Sequence, residues 1–141
     1  MWATRPNLAG PTVNRIAATL LALEHDSGVS LISAEAHGQA FYAMLVSDAP
    51  PLAPGAAISL LFKETEVAIA RNLQGEISLR NRVPGVIASL EPGHLLSRIG
   101  IHFADQLVYA VITTGSVERM QLAPGVAVEW LVKANEMGIA C

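Results

Sequence analysis

Three short segments in the second half of the chain combine hydroxyl groups with cationic side chains. The segments are Ser78-Leu-Arg80-Asn81, Thr113-Thr-Gly-Ser116 and Lys133-Ala134-Asn135. Each falls at an expected strand end or helix start, where backbone N–H groups are free to donate hydrogen bonds. A tetrahedral oxyanion is bound by such groups, because hydroxyl and N–H groups donate hydrogen bonds to it and cations neutralise its charge. The residue types therefore predict an oxyanion-binding site.

No group of residues in the sequence is typical of catalysis or of metal binding. The histidines are scattered and none has a metal-ligand spacing from Cys, Asp or Glu; they are His25, His37, His94 and His102. The sequence also contains neither a phosphate-binding glycine loop nor a nucleophile elbow. We therefore expect that the protein is not an enzyme and that it uses neither a metal ion nor a catalytic cofactor.

The charge and the aromatic content disfavour nucleic acid as a partner. The 141-residue chain has a formal net charge of −3 and only seven aromatic residues. Nucleic-acid-binding domains instead present a basic surface, and those that bind single strands add aromatic side chains on which bases stack. We expect a small oxyanion as the ligand.

The balance of hydrophobic and charged residues predicts a soluble protein that associates with itself. Hydrophobic residues make up 52% of the chain and charged residues 15%. The longest apolar run, residues 16–23, is far shorter than the roughly 18 residues that suggest a membrane helix, so we expect no membrane insertion. We see no secretory signal and expect a cytoplasmic location. A small chain cannot bury this much apolar surface alone, which favours a homo-oligomer.

The chain contains an internal repeat. Residues 52–70 align without a gap on residues 122–140, and ten of the nineteen positions are identical. The identities include the Leu-Ala-Pro-Gly start of both stretches and the pair Lys63 and Lys133. A looser likeness continues upstream, where the stretch that begins at Tyr42 resembles the one that begins at Tyr109. We predict two units, residues 1–73 and 74–141.

Short apolar runs between turn residues predict that both repeats are β-structures. In the second repeat the expected strands are Val86–Glu91, Ser97–Phe103, Leu107–Thr113, Val126–Lys133 and Met137–Ala140. Pro124-Gly125 predicts a turn, and Ser116–Leu122 a short helix with Ser116 as its N-cap. Five short strands and one helix are typical of a small barrel of the oligomer-binding (OB) type. The predicted fold is all-β, with two tandem OB-like five-stranded Greek-key barrels, each with one short helix.

The second repeat resembles the Mop (molybdopterin-binding-like) domain of the Mop/TOBE molybdate-binding family over about residues 76–140. The resemblance rests on Ser78-Leu-Arg80-Asn81, Pro84-Gly85-Val86, Glu91, Ile112-Thr113-Thr-Gly-Ser116, Leu122-x-Pro-Gly125 and Val132-Lys133-Ala134. Two such units in one chain resemble the di-Mop, molbindin-like proteins. The resemblance implies that molybdate or tungstate is bound at subunit interfaces, for intracellular storage, homeostasis or sensing.

The resemblance also implies a role for individual residues of the second repeat. Ser78 and Arg80 would line the oxyanion site from the first strand. Thr113 and Ser116 would supply hydroxyl and backbone donors. Lys133 would supply positive charge, and Ala134 a backbone N–H group.

The first repeat resembles the family mainly over residues 52–70. It keeps Lys63, and Ser47 falls near the place of Thr113, so these two residues mark a second candidate site. Two carboxylates, Asp48 and Glu64, lie close by in sequence and would repel an anion by about 1 kcal/mol each at 4 Å in water. We therefore expect the first repeat to serve mainly as a packing partner.

The same motifs allow a second class of function. The chain also resembles the C-terminal domain of molybdate-transporter ATPases. The alternative is therefore a regulatory or dimerisation module of a molybdate ABC transporter ATPase with a decayed oxyanion site. A third class, an OB protein that binds single-stranded nucleic acid, fits the predicted fold but neither the charge nor the aromatic content.

Overall fold

The computed structural model describes residues 13–46 and 51–141, which form two five-stranded antiparallel sheets. The strands are β1 (Val13–Asp26), β2 (Val29–Ala36), β3 (Gln39–Leu45), β4 (Ala57–Lys63), β5 (Ala68–Ala70), β6 (Asn81–Pro92), β7 (Leu96–Phe103), β8 (Gln106–Thr113), β9 (Ala127–Val132) and β10 (Gly138–Ala140). One helix, α1 (Thr114–Met120), and two 3₁₀ turns, Glu64–Glu66 and Ala134–Glu136, complete the described elements. The predicted all-β, OB-like fold is confirmed.

The two repeats exchange their last strands. The first sheet has the order β10-β4-β1-β2-β3 and the second has the order β5-β9-β6-β7-β8. β10 pairs with β4 and also touches β3, and β5 pairs with β9 and also touches β8. Each exchanged strand therefore contacts the first and the last of the other four strands in the sheet that it joins. Each sheet therefore takes its fifth strand from the other repeat, and the sheets do not coincide with residues 1–73 and 74–141.

One long strand in each repeat bends so that it pairs with two different neighbours. β6 pairs with β9 through residues 81–86 and with β7 through residues 86–92, with a register shift between Ile87 and Ser89. β1 has the same shift between Leu20 and Ala22. Such bulges bend a strand and increase its twist, which lets a short sheet curl.

β6 begins five residues earlier than the sequence predicts. Pro84 and Gly85, which look like a break, lie inside the strand opposite Glu129 and Val128. A Cβ atom on Gly85 would lie 2.6 Å from Cγ2 of Ile101 and 2.9 Å from the carbonyl oxygen of His102. Glycine is therefore needed here for the close approach of β7.

The turn predicted at Pro124-Gly125 is confirmed, and the first repeat has the same turn at Pro54-Gly55. Gly125 has φ +93°, and the N–H of Val126 donates to the carbonyl of Ala123 over 3.1 Å. Gly55 has φ +95° at the equivalent place. A positive φ after proline is the conformation that a type II turn requires, and glycine adopts it without strain.

The helix of the second repeat begins two residues earlier than predicted, and its N-cap is Thr113 rather than Ser116. Thr113 has an extended backbone, and its Oγ1 accepts a hydrogen bond from the N–H of Ser116. Ser116 therefore lies in the first turn of the helix. In the first repeat the corresponding segment includes residues 47–50, which lie outside the described residues, so a helix there stays a prediction.

Aromatic side chains from both repeats form one continuous core. Trp130 on β9 is fully buried and packs against three phenylalanine rings with centroid distances of 5.4–5.8 Å: Phe41, Phe62 and Phe103. Phe41 and Phe62 belong to the first sheet, and Phe103 belongs to the second. These four rings hold the two sheets together and are not accessible for stacking with bases.

Candidate functional site

Asn81 joins the two repeats at the start of β6. Its side chain is fully buried, and its Nδ2 donates to the carbonyls of Tyr42 (2.8 Å) and Val132 (2.9 Å). Its Oδ1 accepts a hydrogen bond from the N–H of Tyr42 over 2.7 Å. Asn81 thereby fixes the position of β3, from the first repeat, beside the segment that carries Arg80.

Arg80 lies on the surface with its guanidinium over an aromatic ring of the other repeat. Its Cζ is 3.6 Å from the ring centroid of Tyr42. This cation–π contact orients the guanidinium without using its N–H groups. Within the described residues, Arg80 makes neither a hydrogen bond nor an ion pair, so its donors face solvent.

The other arginines of residues 71–141 already have acceptors. Arg71 donates to backbone carbonyls at the end of α1, and Arg119 donates to Ser116. Arg82 contacts Glu129 over 2.7 Å, and this hydrogen bond raises the pKa of the Arg82 guanidinium above its ordinary value. Arg98 is paired with Glu64. Arg80 is thus the arginine of residues 71–141 that is open to an external anion.

Lys133 and Ala134 lie next to Arg80. Asn81 pairs with Val132 in the antiparallel ladder, so the residues just beyond this pair, Arg80 and Lys133, are at adjacent strand ends. The 3₁₀ turn that begins at Ala134 packs against β3, the strand that carries Tyr42. Lys133 is exposed and Ala134 is partly exposed.

Ser78 completes this surface from the loop before β6. It is exposed and lies two residues before Arg80. We call the surface formed by Ser78, Arg80, Lys133 and Ala134 the Arg80 patch. It presents two cationic groups and one hydroxyl group, which are donors suited to an oxyanion.

The two remaining predicted residues, Thr113 and Ser116, lie elsewhere on the second repeat. Their Oγ atoms are 3.0 Å apart at the start of α1. Thr113 pairs with Leu96 at the start of β7, and this part of β7 lies beside the last residues of β6. Arg80 lies at the other end of β6. Within the described residues no hydrogen bond joins this pair to the Arg80 patch. One chain therefore presents the predicted donors as two separate groups.

Lys63, from the second candidate site, lies in a different setting. It lines a groove of about 320 Å³ formed by both repeats, together with Glu66, Asn135 and Glu136. Glu66 accepts a hydrogen bond from the N–H of Lys63 over 2.9 Å. Ser47, the other residue of this candidate site, lies outside the described residues. Two carboxylates in the groove make it a poor site for an anion.

The predicted repulsion by Glu64 is wrong, because this side chain points away from solvent. Glu64 is 2% exposed, and its Oε2 lies 3.1 Å from Nε of Arg98 on β7. Its charge is neutralised inside the molecule. The carboxylates that do line the groove beside Lys63 are Glu66 and Glu136, and Asp48 lies outside the described residues.

The first repeat has the same asparagine–tyrosine contact but a different residue in the place of Arg80. Asn14 and Tyr109 form the same pair as Asn81 and Tyr42, with hydrogen bonds of 2.9 and 2.8 Å between the amide and the tyrosine backbone. Val13 precedes Asn14 and pairs with Lys63, so it occupies the place of Arg80. The first repeat therefore keeps the scaffold but lacks this arginine.

Sequence reasoning missed Tyr42 as a contact of the arginine and Asn81 as the residue that joins the repeats. Both were visible as a repeated pattern, since Asn14-Arg15 and Asn81-Arg82 precede Tyr42 and Tyr109 at the same spacing. The likeness of the two tyrosine segments was noted, but the paired asparagines were not connected to it. A buried asparagine at a strand start is a signal for a side-chain to backbone contact between elements.

Among residues 13–46 and 51–141, no group of three or more His, Cys, Asp or Glu side chains is placed to hold a metal ion. No helix in the part of the chain that the structure describes is long and apolar enough to cross a membrane.

A protein-family model and a curated relative each match part of the chain. Residues 77–139 match the TOBE domain family. The molybdenum-pterin-binding protein MopA of Rhodobacter capsulatus is 34% identical over 91 residues, which are 63% of this chain and 34% of MopA. The chain therefore spans about a third of the length of this curated relative.

A solved structure shares the fold of almost the whole chain. It is a crystal form of the cytoplasmic molybdate-binding protein ModG with molybdate bound. The TM-score is 0.85 at 18% sequence identity, and the match covers 90% of this chain and 94% of the other. At this identity the likeness establishes the fold.

Proposed function

We propose, from the match of residues 77–139 to the TOBE domain family, that the protein binds a tetrahedral oxyanion, molybdate or tungstate, at the Arg80 patch. Binding without catalysis would serve storage, homeostasis or sensing of the oxyanion in the cytoplasm. The observation that carries the proposal is Arg80, a surface guanidinium held over Tyr42 with Lys133 beside it, whose donors have no acceptor among the described residues. A guanidinium is planar and always charged, so it suits a dianion.

We further propose that a second copy of the chain completes the site. Thr113 and Ser116 supply donors that one chain presents away from its Arg80 patch, and an interface between copies would bring the two groups together. Large apolar side chains lie exposed on the surface and would be covered in such an assembly: Val13, Leu21, Leu31, Ile77, Val86 and Leu95. The ligand would then be shared between subunits.

We expect the protein to be an oligomer at micromolar concentration. The reason is the exposed apolar surface together with a site that needs donors from two chains. Sedimentation velocity measures the mass directly, with Leu21→Glu and Leu31→Glu as variants that place charge on this surface. A wild-type protein that sediments as a 14.9 kDa monomer would contradict the shared site.

Equilibrium dialysis with metal analysis tests the binding itself. We expect molybdate and tungstate to be retained and sulfate to compete poorly, because sulfate is smaller and a fixed set of donors selects by geometry. Binding should change little between low and moderate ionic strength, because the net negative chain does not attract anions over long distances. Retention of neither metal oxyanion would favour the alternative, a regulatory module of a transporter ATPase. Equal retention of sulfate would indicate a loose cationic patch.

A further inference from the structure

A buried ion pair beside Tyr109 joins the two repeats, and the proposed function does not use it. Arg98 lies with its Cζ 3.9 Å from the ring centroid of Tyr109, as Arg80 lies over Tyr42. Its Nε is 3.1 Å from Oε2 of Glu64, and the two side chains are 7% and 3% exposed. Glu91 approaches the same guanidinium at 3.8 Å. Each of the two equivalent tyrosines therefore holds a guanidinium, but only one guanidinium is open.

We infer that Glu64 is an internal carboxylate that takes the place of an external oxyanion on Arg98, so that each chain has one oxyanion site, at the Arg80 patch. This inference deepens the proposed function and rests on it for the identity of the ligand. The Glu64 carboxylate is a planar oxyanion that is covalently attached to the chain. It meets the guanidinium as a bound anion would.

The repeat alignment shows that neither residue of this ion pair is kept at its equivalent position. Glu64 follows Lys63 at the end of β4, and the equivalent residue after Lys133 is Ala134. Both begin a 3₁₀ turn, and each turn packs against the strand that carries the tyrosine of the other repeat. Arg98 on β7 corresponds to Leu31 on β2. The surroundings of Tyr109 therefore have a carboxylate and a guanidinium where those of Tyr42 have alanine and leucine.

An external anion cannot compete with Glu64 for Arg98. The carboxylate is part of the same chain, so its effective concentration at Arg98 is far above that of a dissolved oxyanion. Its displacement would also leave a buried carboxylate without its partner, which is strongly unfavourable. Arg80 faces no such competitor, because the equivalent position is Ala134. The open oxyanion site is therefore the one beside Tyr42, and the place beside Tyr109 is closed.

Calorimetric titration of the full chain with molybdate tests this inference through stoichiometry. We expect one molybdate per chain for the wild type and a second one for Glu64→Ala, which removes the internal carboxylate and leaves Arg98 in place. The matched control is the double variant Glu64→Ala/Arg98→Leu, which copies the residues of the other half. It should return to one molybdate per chain.

Formate provides a second measurement, because it restores a carboxylate without restoring the side chain. We expect the melting temperature of Glu64→Ala to rise with formate in a saturable way, whereas that of the wild type and of the double variant should not. If Glu64→Ala is unfolded in chloride buffer, recovery of its circular dichroism spectrum with formate or molybdate gives the same support. Failure of both anions to recover it would overturn the inference.

The stoichiometries also separate this inference from the proposed function. Two molybdate ions per wild-type chain, or no additional one for a folded Glu64→Ala, would overturn the inference alone. A wild type that binds none would contradict the proposed function. If in that case Glu64→Ala binds one molybdate and the double variant binds none, Glu64 blocks Arg98 as inferred. The inference then holds although the proposed function does not.

Discussion

Replacement of Asn81 by leucine is expected to lower the free energy of unfolding by about 3 kcal/mol or more. The amide makes three hydrogen bonds of 2.7–2.9 Å to the backbone of Tyr42 and Val132. Leucine has a similar volume but leaves these backbone groups without partners, and each unsatisfied buried group costs about 1–3 kcal/mol. The loss should be seen as a lower midpoint of urea unfolding, followed by circular dichroism.

Two further variants show whether the hydrogen bonds account for this effect. Asn14→Leu breaks the two equivalent bonds to Tyr109, so we expect a clear but smaller loss. Asn135→Ala removes an exposed amide, and its effect should stay within about 0.5 kcal/mol. If Asn81→Leu were no more harmful than Asn135→Ala, the two repeats would not depend on this contact.

Lys133→Ala is expected to weaken molybdate binding roughly tenfold or more. A hydrogen bond to a charged group contributes about 1.5–3 kcal/mol, and each 1.4 kcal/mol corresponds to about a tenfold change in affinity. Lys133 lies beside Arg80, so its removal takes one of the two cations from the Arg80 patch. Because Lys133 is exposed, the stability of the variant should be close to that of the wild type.

Lys63→Ala is the matched control for this titration. Lys63 occupies the equivalent place in the first repeat, but it pairs with Val13 instead of an arginine and shares its groove with Glu66 and Glu136. We expect its loss to change molybdate binding far less. Equal losses in the two variants would mean that both halves contribute to one composite site.

The elements of the second repeat could largely be predicted because local sequence specifies them. Alternating apolar residues give β7 and β8 almost to the residue, and the Pro-Gly dipeptide gives the turn before β9. The N-cap was misplaced because Thr113 and Ser116 are both good capping residues. Only the backbone conformation of Thr113, set by its pairing at the end of β8, decides between them.

The partner of Glu64 could not be predicted because it depends on contacts that are distant in sequence. The residue follows an exposed lysine at a strand end, where a solvated carboxylate is the usual expectation. The 3₁₀ turn that begins there packs on β8 and directs Glu64 to Arg98, 34 residues further along the chain. No local sequence pattern predicts where the Glu64 side chain points.

The exchange of β5 and β10 could not be predicted for a related reason. The two strands are Ala-Ile-Ala and Gly-Ile-Ala, and their partners β9 and β4 come from the same repeated sequence. Either strand could therefore pair with either partner as far as side chains are concerned. The path of the connecting segments selects the pairing.

This exchange has a consequence for how the protein is made. During translation β4 emerges before the second repeat, and it lacks one of its neighbours until Gly138–Ala140 have left the ribosome. The nascent chain therefore carries an unpaired strand edge while the second repeat is made, which is a template for association with other chains. The first sheet is completed only when residues 138–140 have emerged, so we expect ribosome-bound chains that stop before residue 138 to require a chaperone to stay soluble.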